Sequence, residues 1–267
     1  MHSLESPFLS IITINFNNLE GVKKTMASVF SQSFESLEYI FIDGASTDGS
    51  KDYISTHADR LSYWVSEPDA GVYQAMNKGI KAARGTYVLF LNSGDEFTTS
   101  RVLQEAMEAS NFSADIIYGD YEFENGRKTY PDTVTPYFLF KSSLPHQSTF
   151  FKRIIFDRMG YYNETYKITS DREFYLKCVL EGTIQFEHIP LAVARFDRKG
   201  ISNDAAFQEL KRKENEQMLR FHLGACYDDY VRFREMEHAL NKHQRNQWQW
   251  YLNRFRKKWN TLWNSRS

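Results

Sequence analysis

The sequence predicts an α/β domain built on a doubly wound, mostly parallel sheet, followed by a helical extension. Three observations predict it. Short, nearly continuous apolar runs alternate with segments of helical periodicity from Phe8 to Leu91. Such runs are typical of strands covered on both faces. Polar clusters stand directly after three of the runs, where sheets of this kind bind ligands. From Ala205 onward the pattern turns helical and charged.

Phe8 to Ile14 is the first predicted strand. Leu19, Val22, Met26, Val29 and Phe30 then recur at helical spacing. Glu38 to Asp43 is a second buried strand, ending in the polar stretch Gly44 to Gly49. A helix through 51–58 leads to a short strand near 61–65. Val72, Ala75, Met76, Gly79, Ile80 and Ala83 line one helix face, and Gly85 is expected to close that helix as a C′ glycine. Thr86 to Leu91 is the clearest buried strand, with Asn92-Ser-Gly-Asp-Glu96 at its carboxyl end. A less regular part follows from Asp115 to about Phe196, with strand-like 116–118 and 128–130.

The chain has 267 residues, enough for one domain of roughly 200 residues plus an appendage. A hydrophobic content of 42% supplies a sizeable core. A net charge of -1 speaks against a general nucleic-acid binder, which needs a basic excess. Cys178 and Cys226 are the two cysteines, without CxxC or zinc spacing, so a reducing compartment is expected and both read as small buried hydrophobes on helices. Met1 to Pro7 carries no basic region, and no apolar run approaches the ~18 residues that would cross a bilayer. The expectation is a cytoplasmic protein, soluble or held peripherally at the inner face of the plasma membrane.

Three polar clusters carry the chemistry: Thr13-Ile-Asn-Phe-Asn17, Asp43 to Asp48 with Ser46 inside it, and Asn92-Ser-Gly-Asp95. Singly, each could be an ordinary turn. Together they line one crevice with amides and carboxylates. That composition suits a nucleotide whose base and ribose need hydrogen bonds and whose diphosphate needs a divalent cation with oxygen ligands.

Five blocks in order resemble family 2 glycosyltransferases of the GT-A fold, the group that builds bacterial polysaccharides. They are Leu9 to Asn15, Ile42 to Gly49, Glu67 to Gly79, Phe90 to Asp95, and His146-Gln-Ser-Thr-Phe150 followed by Thr169-Ser-Asp-Arg-Glu173. The resemblance covers roughly 8–205. It implies a Rossmann-like, mostly parallel mixed sheet flanked by helices, with a catalytic domain over 1–204, a nucleotide-sugar half to about 100, an acceptor half over 101–204 and a helical extension over 205–267.

The resemblance also implies roles. Thr13 and Asn15 fall where the family holds the nucleoside, with Asp43 at the base and Ser46 and Asn92 in the same donor crevice. Asp95 takes the metal position of the DxD-type motif, for Mn²⁺ or Mg²⁺, although Gly94 stands where many members have a second aspartate. Asp171 matches the base of an inverting transfer, which deprotonates the acceptor hydroxyl as it attacks the anomeric carbon opposite the leaving diphosphate. Ser170-Asp-Arg-Glu173 also reads as a capping box. His146 is either structural or acceptor-facing, and Lys78, with Glu67 and Asp69, is either part of a solvated face or a donor contact. Arg195 to Ser202 resembles the family's late loop, which implies a mobile lid with Arg195 and Lys199 as cations for the diphosphate. The partners implied are a nucleotide-sugar donor, a UDP-sugar by default, and a glycan or polyprenyl-linked acceptor, with no nucleic acid.

The tail over 241–267 differs in kind. It holds seven lysines and arginines and four tryptophans with no acidic residue, leaving Trp64 as the one tryptophan elsewhere. That mixture suits either an interfacial helix on an anionic membrane or a helix packed on protein. Two alternatives stand beside the transferase. A nucleotidyltransferase would need a basic Gly-rich loop after the first strand, which Asn15 to Leu19 does not provide. A non-catalytic nucleotide-sugar binder of the same fold would have no use for Asp95 and Asp171.

Overall fold

The computed structural model describes residues 6–196 and 205–264, with side chains described to Leu252. Strand β1 (Leu9–Asn15) is buried along its whole length, and β2 (Leu37–Asp43) nearly so. The two pair in parallel, Leu9 opposite Leu37 and Asn15 opposite Asp43, so both polar ends finish at one level. Strand β3 (Tyr63–Ser66) adds in parallel beyond β2, and β4 (Tyr87–Phe90) beyond β1. Trp64 of β3 is half-buried against the core. This half of the sheet is the doubly wound unit the apolar runs predict.

The second half is mixed. Strand β5 (Glu96–Phe97) follows the Asn92–Asp95 loop, and β6 (Ile116–Phe123) and β7 (Gly126–Lys128) form a hairpin. Strand β8 (Thr149–Lys152) joins β4 to β6 by antiparallel pairing on both sides. Strand β9 (Phe186–Arg195) runs parallel to β6 and takes β5 antiparallel at its far end. The sheet order is β3-β2-β1-β4-β8-β6-β9-β5, with β7 on β6.

Helices cover the sheet. On one face α1 (Leu19–Phe30) and α4 (Val102–Ala109) bury Val22, Met26, Val29, Val102, Leu103 and Ala106 with the β1, β2 and β4 side chains. Helix α2 (Ser50–Ser55) is shorter than expected, and a 3₁₀ turn over Ala58–Arg60 takes the rest. Helix α3 (Val72–Ala82), α5 (Pro136–Lys141), α6 (Ile154–Met159) and α7 (Ser170–Glu181) complete the layers. Phe156 stacks on Phe174 at 4.9 Å and Phe151 on Tyr175 at 5.6 Å, which seats α7 on the sheet.

Two sequence expectations about helix ends are corrected. Helix α3 stops at Ala82 with extended Ala83, and Gly85 is not a left-handed cap. Its role is close approach, because a Cβ there would sit 2.6 Å from the Ser10 nitrogen. The capping box at Ser170 does not form either: Thr169 is the N-cap residue, and Ser170 Oγ accepts the Asn163 N–H at 2.6 Å. Of the cysteines, Cys178 is buried as expected, while Cys226 is exposed.

The chain divides into two compact units, 1–218 and 219–267. The first includes most of α8 (Gln208–Leu223), whose Glu214 carboxylate is buried and accepts the Lys167 and Ile168 N–H groups at 2.7 and 3.0 Å. The second consists of the end of α8, a turn at Gly224, and α9 (Cys226–Asn264), a helix of 39 residues. Phe233, Met236, Leu240, Trp248, Tyr251 and Leu252 are all more than half exposed along it. Among the described residues, no helix is long and apolar enough to cross a membrane.

Candidate active site

The carboxyl ends of β1, β2 and β4 form one polar ledge. Asp43 is fully buried there. Its Oδ1 accepts from Asn15 Nδ2 at 2.9 Å and Ser46 Oγ at 2.6 Å, and its Oδ2 from the Ser46 N–H at 3.0 Å and Ser66 Oγ at 2.6 Å. Four donors fill a carboxylate's capacity. Asp43 therefore fixes the ledge, with its oxygens engaged by donors of the chain itself. Thr13 is likewise inside the sheet, its hydroxyl donating to the Leu91 carbonyl at 2.7 Å and 3.0 Å from Tyr39 Oη. It supports the site from below.

What the ledge leaves open is more telling. Asn15 Oδ1 and Asn92 Oδ1 are buried acceptors without a hydrogen-bond partner among the described residues. Such atoms ordinarily find one, here from water or a bound ligand's N–H and O–H groups. Phe16, which the sequence reading passed over, is 69% exposed at the end of β1 with its ring edge against Gly44. An aromatic exposed between two asparagines, just after a wholly buried strand, was the available signal. Asp69 Oδ2 flanks the same glycine. Lys78 is neutralised beside it, 2.5 Å from Asp69 and 2.7 Å from Glu67.

The Asn92–Asp95 loop folds back on α1: Thr25 Oγ1 donates to the Asp95 carbonyl at 2.6 Å and accepts the Gly94 N–H at 3.0 Å. Gly94 has φ +106°, which explains why this loop does not carry a second aspartate there. Asp95 itself is buried, 4% exposed. Among the described residues no group of three or more His, Cys, Asp or Glu could hold a metal alone. One carboxylate with an orphaned amide oxygen in the same loop fits a hard cation that brings its remaining ligands on a diphosphate.

Asn92 also links this loop to the acceptor side. Its Nδ2 lies 3.0 Å from His146 Nε2, and His146 Nδ1 lies 3.6 Å from Asp171 Oδ2. Tyr73 of α3, packed on Tyr162 at 5.6 Å, donates its hydroxyl to Asp171 Oδ1 at 3.0 Å. Burial opposes the Asp171 charge, but the His146 hydrogen bond and charge, the Arg172 N–H and Tyr73 together hold its pKa below the usual carboxylate range. Burial likewise disfavours a charged His146, and Asp171 and Asp95 outweigh it and raise its pKa. Both side chains remain 20% exposed, so the pair faces the cleft.

The structure thus brings Asn92, Asp95, His146 and Asp171 together, with Asn15, Ser46 and Asp43 along the ledge. It does not bring Arg195 to them, since Glu96 at 2.8 Å and Glu122 at 3.2 Å hold that guanidinium. Lys199 lies outside the described residues. Tyr73 was missed because it falls on the buried face of α3 and reads as core. A separate cavity of about 390 Å³, lined by Val29, Phe30, Leu37 and Arg60, opens near the start of β2 and includes none of these residues.

A family model described as Glycosyl transferase family 2 matches residues 10–172. The chain belongs to that family. An uncharacterized glycosyltransferase of Mycobacterium tuberculosis is 33% identical over 222 residues, 78% of this chain and 83% of that protein. A PGL/p-HBAD biosynthesis glycosyltransferase of the same organism is 28% identical, over 79% and 85% of the two chains. Among solved structures, S. aureus TarS 1-349 matches the glycosyltransferase with a TM-score of 0.65 at 19% identity, over 81% of this chain and 66% of that one. The mannosyltransferase PcManGT of Pyrobaculum calidifontis matches at 0.57 and 15% identity, over 89% and 81%. These likenesses show the GT-A fold.

Proposed function

We propose that this glycosyltransferase moves a sugar, with inversion, from a nucleotide diphosphate sugar to a hydroxyl of a glycan or lipid-linked acceptor. The observation that carries the proposal is Asp171: a carboxylate kept ionised at the start of α7, facing the cleft, within reach of His146 and held by Tyr73. In this reading Asp171 takes the acceptor proton. Tyr73 and His146 keep its two oxygens aimed, and the first turn of α7 favours its charge. Asn15, Ser46 and Asn92 receive the nucleoside and ribose, and Phe16 offers a face to the base. Asp95 would hold Mn²⁺ or Mg²⁺, whose chemistry is to stabilise charge on the departing diphosphate.

The solved relatives support a nucleotide sugar: TarS has been captured with UDP-GlcNAc, and PcManGT with GDP-Man and Mn²⁺. A UDP-sugar is the first donor to try. The PGL/p-HBAD relative supports a lipid-linked acceptor in surface glycan synthesis. The basic, tryptophan-rich 241–267 segment would then bring the enzyme to an anionic cytoplasmic membrane face, and the catalytic part is taken as 1–204 with α8 as its brace.

Asp171→Asn tests the mechanism, because it preserves shape but cannot accept a proton at neutral pH. Turnover should fall ~10²–10⁴-fold, the usual cost of losing a general base, with donor affinity and melting temperature near wild type. A variant that turns over normally removes Asp171 from the chemistry and leaves a nucleotide-sugar site with its base elsewhere.

A further inference from the structure

We propose that Lys128 anchors an anion-binding subsite for the acceptor, so that the acceptor is a sugar carrying a carboxylate or phosphate. The proposal rests on the acceptor reading of the Asp171 cleft and adds the chemical class of what enters it.

Lys128 ends β7 and is half-buried. Its ammonium lies 4.9 Å from the Tyr130 ring centre and 3.4 Å from Ser142 Oγ. The described residues give it a ring and a distant hydroxyl, and no carboxylate. Burial consequently lowers its pKa. A partly desolvated charge is ordinarily paired. Lys78, the other half-buried lysine near the cleft, has both Glu67 and Asp69. Beside Lys128, Arg127 and His188 both engage Asp120, so that carboxylate serves neighbours instead. A ligand oxyanion is the partner that would complete the Lys128 environment.

The surroundings suit a sugar and adjoin the base. Tyr121 lies 6.3 Å from Tyr130 and 5.7 Å from Phe196, and Phe138 lies 6.3 Å from Tyr130, making a partly exposed aromatic wall. Rings with a few placed polar groups are the usual lining of a small-molecule site. Burial raises the Tyr130 pKa, and the charges of Tyr121, Asp120 and Asp171 add to that. Ser142 directly follows α5, and Arg172 Nε, next to the base, donates to the Leu139 carbonyl of that helix at 2.8 Å. Lys128, its wall and Asp171 therefore belong to one side of the cleft.

Binding to the full chain, with lysine side chains isotopically labelled and Lys128 assigned by substitution, tests this without relying on turnover. The probes are methyl β-D-glucuronide, glucose 1-phosphate and neutral methyl β-D-glucoside. We expect a saturable shift of the Lys128 signal with one or both anions. Affinity should fall about tenfold or more in Lys128→Gln, in line with losing a charge-assisted hydrogen bond, and return in Lys128→Arg. Saturation by the glucuronide alone assigns the anion to an acidic sugar, and by the phosphate alone to a phosphate-linked acceptor. Absence of saturation by either anion, an equal response to the glucoside, or unchanged affinity in a folded Lys128→Gln protein overturns the proposal. Donor binding by the wild-type protein, measured separately, shows whether the glycosyltransferase reading itself stands.

Discussion

Asp171 is buried enough for desolvation to oppose its charge, and His146 together with the hydrogen bonds of the Arg172 N–H and Tyr73 reverses that preference. Tyr73 is the contributor that can be removed with least disturbance. Tyr73→Phe keeps the ring packed on Tyr162 and deletes one hydrogen bond to a charged oxygen, worth ~1.5–3 kcal/mol, or about one to two pKa units. Removing a group that lowers the Asp171 pKa must raise it. The acid limb of kcat/KM should therefore move to higher pH by about a unit, while activity at pH 8 changes by less than about tenfold. The folded-state pKa is depressed, so the stability linked to Asp171 is full above its ordinary value of 3.8 and is lost as pH falls through the folded value. Tyr73→Phe should make acid unfolding begin at higher pH. An unmoved acid limb would mean that Tyr73 merely packs. Asp95→Ala addresses the donor side: Mn²⁺-dependent donor affinity should disappear while the fold persists, and full activity in EDTA would remove the metal from the proposal.

At the scale of elements, α8 looks like a charged surface helix in sequence, yet Glu214 ties it to the segment leading into α7. The buried Ile168 N–H, the part-buried Lys167 N–H and the buried Thr169 hydroxyl depend on that carboxylate. Glu214→Ala leaves those donors unmet at ~1–3 kcal/mol each. Taking the two buried donors alone, about 2–6 kcal/mol together, and about 2–4 °C per kcal/mol for a chain of this size, the melting temperature should fall by roughly 4–24 °C. A drop of a degree or less would show that water replaces the carboxylate. Nothing local announces this contact, which is why it was not legible. The strands were legible because burial on both faces leaves a nearly continuous apolar run, as in Leu9–Asn15 and Tyr87–Phe90. The site was legible in part: Asn92, Asp95 and Asp171 stand at ends of elements, where polar residues need a reason. Thr13 and Asp43 stand there too, but whether such a residue faces ligand or neighbour depends on partners far along the chain, here Tyr39, Leu91 and Ser66. Gly85 shows the same limit, since its cause lies in β1 and not in the helix it follows.

Of the two units of the chain, the first carries the candidate site and the second is mostly a long helix with an exposed apolar stripe. The basic residues from Lys242 to Arg266 would add about 1 kcal/mol each near an anionic bilayer, with strong dependence on salt. Truncation after Leu240 should abolish sedimentation with phosphatidylserine vesicles at low ionic strength and spare transfer to a soluble acceptor. A full-length protein that ignores such vesicles would turn the stripe into a surface for packing on protein. The same cut has an optical consequence. It removes Trp248, Trp250, Trp259 and Trp263 together and leaves one indole, Trp64, two residues before the Ser66 hydroxyl that bonds Asp43 on the ledge. The shortened enzyme is thus a single-tryptophan protein with its fluorophore built into the strand beside the proposed nucleoside pocket. Titrating donor nucleotides against that one emission band would report occupancy of the pocket with no label, and excited-state lifetimes would separate bound from empty molecules.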